Sequence, residues 1–219
     1  MSDGPRALRS PEFALAVALA ALAGWVDAVA YVRLSRTYVS FMSGNSTSLA
    51  ASLSLAHAPK VLLLICVLAG FVAGVILGEL ASVAMDRRGH STALFVESLF
   101  LFGAIFAAIP PNALFAPAVL LAIALGIQNA SVHEAAGMRV ALTYVTGTLV
   151  RFGRAIAAAL AKQGAWRASL PFLFLWLGMM AGAAGGAAVA HANAVFAIAI
   201  AAATALCLAI VHARQIVVR

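Results

Sequence analysis

Apolar residues along this chain fall into long blocks, near 13–32, 61–85, 92–110, 113–133, 170–190 and 192–212. Each block approaches the ~20 residues that a helix needs to cross a bilayer. The pattern predicts an all-α polytopic membrane protein with about six transmembrane helices. Two shorter stretches, 44–59 and 145–161, carry more polar residues. Counting them as spans would give eight helices, but Arg151 and Arg154 oppose that for the second stretch. Each charge at mid-bilayer costs ~2.5–3.5 kcal/mol on insertion scales. The preferred reading is six spans plus two short broken or re-entrant half-helices, with plain surface loops as the open alternative.

Polar residues interrupt the apolar pattern twice, with the same spacing. Gly24, Asp27 and Tyr31 lie in the first block and are followed by Phe41-Met42-Ser43-Gly44-Asn45. Gly126, Asn129 and His133 repeat that spacing and are followed by Tyr144-Val145-Thr146-Gly147-Thr148. Glycine stripes are doubled too: Gly70, Gly74 and Gly78 match Gly178, Gly182 and Gly186. Such stripes let a neighbouring helix approach closely. The duplication divides a single transmembrane domain, 1–219, into a cytoplasmic tail (1–12), a first repeat (13–110) and a second repeat (111–212). Three spans per repeat is an odd number, so the second half enters from the opposite side as an inverted repeat.

Composition agrees with a membrane protein. Residues are 64% hydrophobic and 10% charged, with mean hydropathy +1.05, whereas soluble domains are about half apolar and a quarter charged. The net charge of +7 is a topology signal. Arg6, Arg9, Arg87, Arg88, Arg139, Arg151, Arg154, Lys162, Arg167, Arg214 and Arg219 fall on one side of the predicted membrane, and only Arg33, Arg36 and Lys60 on the other. By the positive-inside rule both termini are cytoplasmic. No element for reading nucleic acid accompanies the charge. A cleaved signal peptide is excluded because cleavage would remove the first half of the repeat. Cys66 and Cys207 read as small buried hydrophobes.

Asp27 is the foremost candidate for chemistry, with Gly24 one turn before it and Tyr31 one turn after. It reads either as a proton or cation coupling site or as a structural carboxylate bonded to the adjacent break. Asn129 takes the matching position, beside Gln128, and suits solute recognition or helix–helix bonding. Gly44 and Gly147 are placed to break the chain, with Ser43 or Asn45 and Thr146 or Thr148 capping the next helix. Glu79 and Glu97 read as interfacial acids satisfied by snorkelling arginines, or as an inner gate with Arg87, Arg88, Arg151 or Arg154. Trp25, Trp166 and Trp176 read as packing or interface anchors. There is no HExxH, GxSxG, P-loop or metal-spaced Cys/His cluster, so no enzyme activity, cofactor or metal is expected.

The stretches Gly24-Trp25-Val26-Asp27-Ala28, Phe41-Met42-Ser43-Gly44-Asn45, Gly126-Ile127-Gln128-Asn129-Ala130 and Thr143-Tyr144-Val145-Thr146-Gly147-Thr148 resemble the YoaK-like family of bacterial membrane proteins. Ser43 stands where that family usually has threonine. The resemblance implies an inner-membrane protein of about six spans and no settled activity. The residues themselves favour a small secondary transporter, with Asp27 and Asn129 facing each other near the midplane around a small polar or cationic solute. The rival readings are a non-transporting scaffold, with the glycine stripes docking a partner or a second copy as a homo-oligomer, and, last, a membrane-embedded enzyme.

Overall fold

The computed structural model describes residues 10–84, 89–131, 134–135, 138–139 and 145–217. His133, Thr143, Tyr144, Arg87 and Arg88 lie outside them. The first helix, α1 (Pro11–Arg33), opens on an N-cap in which Ser10 Oγ accepts from the Phe13 N–H at 3.1 Å, with Pro11 in the first turn. It ends where Ser35 and Arg36 adopt left-handed φ values of 51° and 56°. A short helix follows, α2 (Met42–Ser54), then α3 (Ala58–Ala84), α4 (Gly89–Ala107) and α5 (Phe115–Ser131). A two-residue antiparallel ladder joins Glu134–Ala135 to Met138–Arg139, so α5 closes before Glu134. Next come the short helix α6 (Val145–Leu160) and a 3-10 turn, Trp166–Ser169.

The last helical stretch, Leu170–Val217, is divided at Asn193, whose backbone is extended (φ −158°, ψ 103°). Asn193 Oδ1 accepts from the Phe196 N–H at 3.0 Å, so one residue ends the first arm and caps the second. The arms, α7 (170–192) and α8 (194–217), correspond to two of the predicted spans. Each of the six apolar blocks therefore lies on a helix. Pro11–Arg33, Ala58–Ala84 and the region Trp166–Arg214 are long and apolar enough to cross a membrane, and Ser91–Ala107 and Phe115–Ser131 are shorter apolar helices. At ~1.5 Å per residue, α2, of 13 residues, is too short to be a span.

The helices that carry the doubled signature form the core. Along α1 one face is buried from Phe13 to Ala30, and α5 is buried from Pro117 to Ser131. The helices that carry the glycine stripes clamp them from outside, and the clamping is reciprocal. Gly178, Gly182 and Gly186 on α7 lie against Val17, Ala21 and Trp25 of α1, while Gly70, Gly74 and Gly78 on α3 lie against Val119, Ile123 and Ile127 of α5. Each signature helix thus rests on the stripe of the other half. A Cβ at Gly182 would collide with the Ala21 carbonyl, and one at Gly74 with the Ile123 carbonyl. Gly24 and Gly126 complete the fit, facing the Met179 and Phe71 carbonyls. The outer surface of α3 shows Leu62, Ile65, Val72, Ile76, Leu80 and Val83, as a lipid-facing helix should.

Two expectations change. The stripes are filled within the chain, so those surfaces are not open to a partner or a second copy. Cys66 is half-buried and Cys207 exposed, because each lies on the side of its helix turned from the core.

Backbone contact at the stripes makes added volume costly. Gly182→Ala and Gly74→Ala should each destabilise the purified protein by about 1–3 kcal/mol, the usual range for overpacking. Gly153, in α6, has nothing within 4 Å of the point where a Cβ would stand. Gly153→Ala should be neutral or stabilising by up to ~1 kcal/mol through helix propensity. Thermal melts in detergent compare the three; equal shifts would contradict the close-approach account.

Candidate functional site

The segment 34–41 links α1 to α2 and returns along α1, where polar side chains from three helices hold its backbone. Asp27 Oδ1 accepts the N–H groups of Val39 (2.7 Å) and Ser40 (2.8 Å), and Asp27 Oδ2 accepts the Ser40 hydroxyl. Asn45, from α2, accepts the Tyr38 N–H at 3.3 Å and donates to the Tyr38 carbonyl at 2.7 Å. Lys60, from α3, donates to the Ser35 carbonyl and the Thr37 hydroxyl, each at 2.6 Å. Asp27, Thr37, Val39, Ser40 and Asn45 are all buried. Buried backbone N–H groups need partners, and here the two signature motifs of the first half supply them. Asp27 and Asn45 are therefore two ends of one clamp.

The break residues act differently from the cap pattern. Because α2 starts at Met42, Ser43, Gly44 and Asn45 lie inside its first turn, and no side chain caps the helix at Phe41. Gly44 makes room for the Phe41 ring, which a Cβ would strike. Ser46 and Thr47 bond back to the carbonyls of Met42 and Ser43. Thr146, Gly147 and Thr148 likewise lie within α6.

Beside the clamp is a cavity of about 490 Å³. Gly24, Asp27, Ala28, Tyr31 and Val32 of α1 line one wall, Tyr38 and Phe41 another. Met179, Ala183 and Ala187 of α7 and Val145 and Thr146 of α6 close it. The rings of Tyr31 and Tyr38 are 5.2 Å apart, and Phe41 meets Tyr38 edge-on at 5.3 Å. Burial, with Tyr31 and Asp27 beside it, raises the Tyr38 phenol above its ordinary value, so it stays a neutral hydrogen-bonding group. Val145 and Thr146 share this cavity with Met179 and Ala183, which at ~1.5 Å per residue are about 14–20 Å along α7 from Leu170. The breaks of both halves meet at this cavity.

Asn129 is not among its lining residues. It is half-buried, and its amide donates to the Leu125 carbonyl of its own helix at 2.8 Å. Gln128 is the residue that joins the signature helices, donating to the Leu19 carbonyl at 2.8 Å. That contact is eight residues, or roughly 12 Å, before Asp27 along α1. A facing pair of Asp27 and Asn129 is thus replaced by Asp27 opposite Thr146. The reason is that both polar positions are near the C-terminal ends of their helices. Glu79 is exposed and engaged. Glu97, by contrast, is fully buried on α4 with neither carboxyl oxygen hydrogen-bonded among the described residues; it is not an interfacial acid. Trp25 packs against Gly185 and donates to the Ala197 carbonyl of α8 at 2.9 Å, while Trp166 is exposed. Among the described residues no three His, Cys, Asp or Glu side chains gather as metal ligands would.

The sequence pattern of a family described as "Protein of unknown function (DUF1275)" matches residues 15–211. The chain belongs to the DUF1275 family. It is 36% identical over 176 residues to the UPF0700 transmembrane protein RA0705 of Rhizobium meliloti (strain 1021), covering 80% of this chain and 74% of that protein. It is 28% identical over 135 residues to the UPF0700 transmembrane protein YoaK of Bacillus subtilis (strain 168), covering 58% of this chain and 59% of that protein. No solved structure matches the chain. These relatives support a YoaK-like transmembrane protein, and their names carry no activity, so the chemistry rests on the site's geometry.

Sequence reasoning missed Ser40, Tyr38 and the burial of Glu97. The first two act through backbone groups of a turn, which leave no spacing signal, and Glu97 could be told from an interfacial acid only by packing. Asp27→Asn removes one acceptor from the clamp, and a hydrogen bond to a charged group is worth about 1.5–3 kcal/mol. Hydrogen exchange across 34–41 should accelerate in Asp27→Asn and in Asn45→Ala. The exposed Ser43→Ala should leave it unchanged, and no acceleration in the first two would refute the clamp.

Proposed function

We propose that this protein is a small secondary transporter of the bacterial inner membrane for a small polar or cationic solute. It would be built from two inverted three-helix repeats, with both termini cytoplasmic. The observation that carries this reading is the cavity where Asp27, three aromatic rings and Thr146 converge from both halves. Aromatic faces and a carboxylate attract cations, and ligand pockets are largely apolar with a few placed polar groups. The short helix α2, which begins beside this cavity at Met42, resembles the broken elements from which transporters build such sites. The reciprocal stripe packing supports the repeat, because each half completes the other. In this reading α6 and the 34–41 segment shift over the fixed α1–α7 pair, opening the cavity to one side at a time.

Uptake into proteoliposomes from pools of small organic cations and neutral polar solutes tests the proposal. The expected result is uptake above empty vesicles for a cationic or polar member. Thr146→Val and Tyr31→Ala, which leave the clamp intact, should each lower it by about tenfold, as losing ~1.4 kcal/mol of binding would. Absence of uptake from every pool, with protein that melts normally, would reject transport.

A further inference from the structure

We infer that Glu97, with Gln128, forms a proton-binding site inside the bundle, separate from the Asp27 cavity. Glu97 is 0% exposed and both of its carboxyl oxygens lack a hydrogen-bond partner among the described residues. Gln128 is 0% exposed as well; its Nε2 is used by Leu19, and its Oε1 lacks a partner. The two residues are at one level. Helices α4 and α5 form an antiparallel pair in which a Cβ at Gly103 would sit 3.8 Å from Leu120. Stepping six residues back along α4 and six forward along α5 sets Glu97 at the level of Gly126, about 3 Å along the axis from Gln128.

An ionised carboxylate without a partner in an apolar interior is strongly disfavoured, and the group instead takes up a proton. A protonated carboxyl is a donor, and the acceptor without a donor at that level is Gln128 Oε1. Three oxygens are too few for a hard metal cation, which takes about six or more. Among the described residues, charged neighbours do not answer Glu97 either. On the packed face of α5, Phe115–Ser131 holds no titratable side chain. On α3, Lys60 holds the 34–41 segment, Cys66 is half-buried and Glu79 is exposed. In the last helical stretch His191, Cys207 and Arg214 are exposed. His212 borders a smaller cavity of about 290 Å³ against Pro11, Ala14, Leu15 and Ala18 of α1. When that interior is wetted, one proton leaves the Glu97 carboxyl for water and later returns, and no other bond changes. As a coupling site for transport, Glu97 rests on the reading above; as a proton site it does not.

Infrared spectra of the full-length protein in lipid nanodiscs, titrated over pH, provide the test. The expected result is a protonated-carboxyl C=O band at neutral pH that fades as pH rises. It should be lost in Glu97→Gln and kept in Glu79→Gln. In Gln128→Leu the band should persist but move to the frequency of a carboxyl without a hydrogen bond. A band unchanged by Glu97→Gln, or none in the unaltered protein, would overturn the site. A band abolished by sodium or potassium at fixed pH would replace the proton with a metal ion. In proteoliposomes, Glu97→Gln should remove the dependence of uptake on an imposed pH gradient. If no uptake exists, the infrared result still decides the proton site, so the two failures are distinguishable.

Discussion

Close approach of helix backbones at the two glycine stripes is the constraint on which this molecule depends. In lipid there is little hydrophobic drive for one apolar helix to prefer another over acyl chains. Dispersion contact at short range must select the partner, and only residues without side chains allow it. Here α7 receives α1 and α3 receives α5, each stripe meeting the signature helix of the other half. The halves cannot pack separately in this arrangement, because each has its stripe filled by the other. Gln128 and Trp25 then tie the clamped pairs by hydrogen bonds to Leu19 and Ala197.

With α1 fixed in this way, Asp27 has a backbone to hold. Its oxygens take donors from Val39 and Ser40, and the turn in turn positions Tyr38 and Phe41 at the cavity wall. One carboxylate therefore both secures the turn and borders the cavity. The two halves are not equal at this point. Asp27 reaches the cavity, whereas Asn129 turns to the Leu125 carbonyl of its own helix. Among the described residues Glu97 meets no hydrogen-bond donor, and it stands apart as a buried acid without one.

The sequence by itself determined the elements: over the described residues the six apolar blocks fall largely on helices, the two shorter polar segments carry short helices, and the paired stripes lie on helices where periodicity and length placed them. Those features are local, since apolar run length and glycine spacing act within one helix. The candidate site was legible only in part. Asp27, Tyr31 and Thr146 reach one cavity, but Gly44 and Asn45 belong to the turn's scaffold, Ser43 is exposed, and Asn129 lies elsewhere. Spacing along a chain gives the depth and face of a residue on its own helix, and it says nothing of which helix stands opposite. Tertiary structure decided that the stripes cross between halves, that Asp27 meets a turn rather than Asn129, and that Glu97 is sealed in the interior. Each of these depends on helix partners distant in sequence, chosen by how closely two backbones can approach.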